Sequence, residues 1–94
     1  MSLGSQEPRI RQLMSDDIAR FIARYCKTPH STSEIVKELL KNRQSTQLSL
    51  YEGVVANNLI AMENVKAITY SDGKWQTTEI TLQVLEKYFG EVSL

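Results

Sequence analysis

Lys66-Ala67-Ile68-Thr69-Tyr70-Ser71-Asp72-Gly73-Lys74-Trp75-Gln76-Thr77 is the stretch that decides the fold. Two short β-prone runs flank an Asp-Gly pair. In the first, Ile68 and Tyr70 alternate with Ala67 and Thr69; in the second, Trp75 and Thr77 alternate with Gln76 and Thr78. Asp72-Gly73 favours a type I′ turn, whose twist matches paired strands. A tight hairpin is therefore predicted, with helical patterns on both sides.

Upstream, apolar residues at Ile10, Leu13, Met14, Ile18, Phe21, Ile22 and Tyr25 recur at spacings of three and four, which places them on one helix face. The pattern runs from about Ile10 to Cys26. Ser15-Asp16-Asp17 inside it has the chemistry of a helix start. The pattern thus fits one helix, or a short helix followed by another beginning at Asp16. Pro29 stops it. Ser31-Thr32-Ser33-Glu34 is a capping-box sequence that opens a second helix, with Ile35, Val36, Leu39 and Leu40 as its stripe and an end near Asn42. The polar run Arg43-Gln44-Ser45-Thr46-Gln47 reads as a loop. Ser49-Leu50-Tyr51-Glu52 repeats the box and predicts a third helix, with Leu48 as a hydrophobic staple and Leu50, Val54, Val55, Leu59 and Met62 buried. Asn64 is expected to take the left-handed terminus. After the hairpin, Thr78 is expected to cap a last helix from about Glu79 to Phe89, ended by Gly90.

The expected class is α+β and mostly helical: three helices, a two-stranded hairpin and a C-terminal helix. Residues 1–8 read as a disordered tail or expression remnant, and 9–94 as a single domain. Ninety-four residues with 41% apolar content hold one modest core. Formal net charge is zero, whereas free-standing nucleic-acid binders tend to be basic. The charge is unevenly spread, however. Residues 9–47 carry eight cations against four acids, and residues 48–94 carry three against six. One half is thus suited to face phosphate while the other faces away, although solvated helix faces explain the same distribution. A single cysteine, Cys26, excludes an internal disulfide and reads as a small buried residue. No run is long and apolar enough for a membrane span, and the start lacks a signal-peptide pattern, so a cytoplasmic protein is expected.

Three stretches resemble the winged helix-turn-helix superfamily, of the MarR, PadR and ArsR regulator kind. Ser31 to Leu40 looks like its second helix. Leu59, Met62, Asn64 and Val65 take the places of the apolar and glycine positions at the end of its recognition helix. Trp75 to Glu79, followed by Leu82, Val84 and Leu85, looks like the strand and helix after its wing. Asn64 stands where that pattern has glycine, and the glycine expected near Thr81 is absent. The resemblance spans roughly Ser15 to Phe89. It implies a DNA-binding transcriptional regulator, with the third helix (about 50–62) in the major groove and hairpin 67–77 as wing. Lys37, Lys41, Arg43 and Lys74 would then hold phosphate, while Gln47, Ser49, Tyr51 and Asn57 would lie at the groove. Double-stranded DNA is the implied partner.

The residues also support another reading. The third helix contains no Lys or Arg, and Glu52 at its start repels phosphate. A protein-interaction or dimerisation module without DNA binding is the alternative. A homodimer through the first and last helices is the expected form, because the last helix is apolar on more than one side and Val92 and Leu94 extend it. No enzyme is expected. His30 is the only histidine and has no nucleophile beside it, and neither a metal-ligand spacing nor a glycine-rich phosphate loop is present. No cofactor or metal is therefore assigned, and no membrane contact is expected.

Overall fold

A computed structural model describes residues 6–91. The chain runs α1 (Glu7–Leu13), α2 (Asp17–Tyr25), α3 (Thr32–Arg43), α4 (Leu48–Asn64), β1 (Ile68–Ser71), β2 (Lys74–Thr77) and α5 (Glu79–Phe89). The α+β class and the order of elements are as expected, and the leading helical pattern is divided in two. The break lies at Asp16, whose backbone is extended and whose carboxylate accepts from the Ile18 amide at 3.2 Å. Ser15 does not cap, since its hydroxyl donates back to the Gln12 carbonyl at 2.6 Å.

Helix α1 starts earlier than predicted. Glu7 and Pro8 belong to its first turn, where proline lacks an amide that would be unpaired anyway and an acid suits the positive end of the dipole. Glu7 also accepts from the Tyr88 hydroxyl at 2.8 Å. The expected tail of 1–8 is therefore too long; residues 1–5 lie outside the described residues.

One core joins the elements. Ile10 enters from α1 and Met14 from the residue that ends it, Ile22 from α2, Ile35 and Leu39 from α3, Val55, Leu59 and Met62 from α4, Ile68 from β1, and Val84 and Leu85 from α5. Helix α1 packs on α5, and α3 on α4. Cys26 is a fully buried free thiol, and burial pushes its pKa up to about 12.

The hairpin has the predicted turn, with φ of 54° at Asp72 and 75° at Gly73. Ile68 pairs with Thr77 and Ser71 with Lys74. The connection between α2 and α3 adds a one-residue bridge to its edge: His30 N–H donates to the Trp75 carbonyl at 3.0 Å, and Trp75 N–H to the His30 carbonyl at 2.7 Å. Trp75 Nε1 donates to Thr32 Oγ1 at 2.9 Å. The buried Thr77 hydroxyl donates to the Ala23 carbonyl at 2.7 Å, and the His30 ring stacks on Tyr25 at 3.9 Å. The hairpin is thus fixed to the start of α3 rather than free at its base.

Helix ends divide into those that follow their sequence signals and those that do not. The Ser31–Glu34 box forms in full: Ser31 N–H donates to Glu34 Oε1 at 2.8 Å, and Glu34 N–H to Ser31 Oγ at 3.2 Å. These bonds hold the Glu34 carboxyl below its usual range, with the Ser31 amide as the main cause. The Ser49–Glu52 box does not form. Helix α4 begins two residues earlier, after Gln47, with no side-chain cap, so Ser49 and Glu52 already lie within its first turns. Leu48 is consequently a helical residue and no staple. Asn64 stays helical, and Lys66 takes the left-handed position instead, with φ of 65°. The Ala67 amide then reaches the Met62 carbonyl at 2.8 Å and the Lys66 amide reaches Glu63 at 3.0 Å, which is a Schellman closure. Gln44 ends α3 in the same way at φ 51°. Thr78 precedes α5 as expected, but its hydroxyl lies 2.8 Å from the Lys66 carbonyl and caps nothing. Gly90 ends α5 at φ 66°.

Candidate interaction surface

Helix α4 is 17 residues, about 25 Å at 1.5 Å per residue. Val55, Leu59 and Met62 are its buried residues. At about 100° per residue, Leu50, Gly53, Asn57 and Ile60 fall together on the opposite side, within an arc of roughly 80°. Leu50 is 56% exposed and Ile60 66%, while Gly53 and Asn57 are exposed between them. Leu50 was expected in the core. It stands five residues before Val55, a separation that turns it away from the buried stripe.

No cation lies on this outer side. Glu52 and Glu63 border it on one flank. On that flank, α3 and α4 enclose a groove of about 450 Å³ lined by Thr32, Ser33, Val36, Lys37, Leu48 and Glu52. Leu48 is 50% exposed in its wall. Space is also open above Gly53, where a Cβ would meet nothing within 4 Å.

The residues assigned to DNA occupy several environments. Lys37 lines the groove, and Lys41 is exposed one turn further along α3. Arg43 ends α3 and donates to Asp17 at 2.9 Å; that bond is the largest cause holding the Asp17 carboxyl below its usual range. Gln47 and Ser49 are exposed at the start of α4. Tyr51 is half-buried against the core, and its body is committed to packing. Asn57 lies eight residues beyond Ser49, about 12 Å along the helix. Asn58, its neighbour, donates to the Val54 carbonyl of its own helix at 2.9 Å. Lys74 is exposed on β2, beside a shallow polar surface formed with Thr69, Ser71, Asp72 and Gln76. Among the described residues, Lys37, Lys41 and Lys74 make no ion pair.

Other cations of the basic half are engaged elsewhere. Arg24 pairs with Glu91 at 2.7 Å. Arg20 donates to the Met14 carbonyl at 2.6 Å and covers the Phe89 ring, and Arg11 covers Tyr88. Four of the eight cations of residues 9–47, Arg11, Arg20, Arg24 and Arg43, thus tether parts of the fold to one another rather than forming a free basic face. The expected seam on the first and last helices is also partly used within the chain. Helices α1 and α5 face each other, and of the α5 apolar residues only Tyr88 is exposed. Val92 and Leu94 lie outside the described residues. No described helix is long and apolar enough to cross a membrane. Compared with protein-family models, curated proteins and solved structures, the chain matches none of them.

Proposed function

We propose that this chain is a winged-helix protein-interaction module whose contact surface is the outer side of α4. A single observation carries the reading: the helix expected to enter a DNA groove presents Leu50, Gly53, Asn57 and Ile60, with two large apolar side chains more than half exposed and no cation. A phosphate backbone attracts Lys and Arg, and side chains facing it need to be polar or basic. Exposed apolar residues with small neighbours favour another protein surface instead. Cytoplasmic residence fits a domain whose one cysteine is a buried free thiol.

A DNA reading retains specific support in Lys37, Lys41 and Lys74, which are exposed and unpaired among the described residues. Under that reading the chain is a transcriptional regulator, with these cations on phosphate and Gln47, Ser49 and Asn57 towards the groove. Anisotropy with a labelled random duplex at low salt separates the two. The protein-contact reading expects no binding that falls steeply with salt. Duplex affinity that drops with salt, and drops again in Lys37→Ala/Lys41→Ala but not in Leu50→Glu/Ile60→Glu, would overturn it.

A further inference from the structure

The partner that best fits this surface is chemically identifiable, and its identification rests on the protein-contact reading above. We infer that the outer side of α4 binds the same helix of a second copy of this chain, antiparallel, about a twofold axis at the level of Val55. The order of residues along the face is self-complementary under that operation. Leu50 falls level with Ile60 of the partner subunit, and Gly53 level with the partner's Asn57. Each contact recurs with the roles exchanged, as an isologous interface requires. Gly53 has open space above it, so the two backbones can approach closely at the crossing and leave room for the asparagine.

Charge fits the same register. Glu63 and the groove lie on one flank of α4, and in an antiparallel pair equivalent flanks meet. Glu63 then falls level with Gln47 of the partner subunit, the residue before its α4, at the Leu48 end of the groove that the partner's Lys37 lines. Within one chain, neither Glu63 nor Lys37 makes an ion pair among the described residues. The same placement brings an acid to the start of the partner's α4. That helix start has no side-chain cap and no acidic residue in its first turn, so its positive dipole end is uncompensated there among the described residues. Two such pairings form per dimer. Glu52 falls level with the partner's Asn58 rather than with another acid. A contact of one helix per subunit is at the low end of interface sizes, so the dimer dissociates on dilution, in the micromolar range or above.

The test uses the full chain with Cys26 retained, because its thiol is buried. Sedimentation velocity across a concentration series should show reversible monomer–dimer exchange. Leu50→Cys mixed with Ile60→Cys should cross-link through a short bis-maleimide, while Leu50→Cys alone should not, since its two copies lie about 15 Å apart along the helices in this register. Glu63→Lys and Lys37→Glu should each weaken the dimer several-fold, and the double variant should recover most of the loss. All four positions are exposed, and thermal melts confirm that each variant folds. A chain that remains monomeric at millimolar concentration overturns the inference. So does a dimer that cross-links at residue 50 to residue 50, or one indifferent to both charge reversals. A monomer that also ignores duplex DNA defeats only the second-copy assignment, whereas a monomer that binds duplex defeats the protein-contact reading as well.

Discussion

The start of α3 and the outer side of α4 use similar sequence material to opposite ends. Both follow a Ser-x-x-Glu sequence. At Ser31 the box closes in both directions, Trp75 reaches Thr32, and His30 adds a bridge to β2. Local capping, strand pairing and core burial there all agree. At Ser49 the box stays open, the helix starts early without a cap, and Leu50 and Ile60 stand in solvent. Agreement among levels marks a scaffold, and disagreement marks where a chain has been shaped for something other than its own stability.

The largest break in the comparison comes from truncating one residue in each region. Trp75→Ala should cost about 3 kcal/mol in urea unfolding, because it removes aromatic packing and the bond to Thr32. Leu50→Glu should stay within about 0.5 kcal/mol of the parent under dilute conditions, because the side chain is mostly exposed. A large loss at Leu50 would mean that it is core after all.

The two serines give a sharper version. Ser31→Ala should destabilise by about 1 kcal/mol, whereas Ser49→Ala should change stability by a few tenths at most. Equal costs would show that the second box closes in solution. The first box also predicts a pH response. The Glu34 carboxyl titrates below its usual range in the folded chain, chiefly through the Ser31 amide. Its contribution is therefore present above the unfolded carboxyl pKa and is lost as pH falls through the folded value. Glu34→Gln should flatten that part of the acid limb of a stability–pH curve.

Glycine separates fold from contact. Gly53 is helical, exposed and open above, so Gly53→Ala should raise monomer stability by about 0.8 kcal/mol. The same change should weaken self-association by crowding the helix crossing. Lys66→Gly should stabilise by a similar amount, because a left-handed residue with a side chain is strained and glycine is not. Smallest in energy is the chemical prediction. With its thiol pKa pushed up to about 12, native Cys26 should resist iodoacetamide at pH 8 and react once urea unfolds the chain.

Much of this was legible in the sequence, for identifiable reasons. The Asp72-Gly73 turn needs positive φ at both positions, and few residue pairs offer it so readily. The Ser31 box and Gly90 carry their geometry in their own side chains, or in the lack of one. Asn64 misled because the helix end was set by Ala67, which had to reach the core, and Lys66 absorbed the left-handed turn. Leu50 misled because its hydrophobicity was counted without its phase relative to Val55 and Leu59. The fates of Arg20, Arg24 and Arg43 depend on partners far along the chain or on another helix, which no local pattern reveals.

The central claim is that the molecule meets its partner on the outer side of α4 rather than on a basic face. A ¹H–¹⁵N concentration series on the labelled chain tests it most directly. The expected result is progressive shift and broadening confined to the Ser49–Asn64 stretch and to Lys37, reversed on dilution and absent in Leu50→Glu/Ile60→Glu. Spectra that are unchanged with concentration, together with shifts at Lys37, Lys41 and Lys74 on adding duplex DNA, would contradict it.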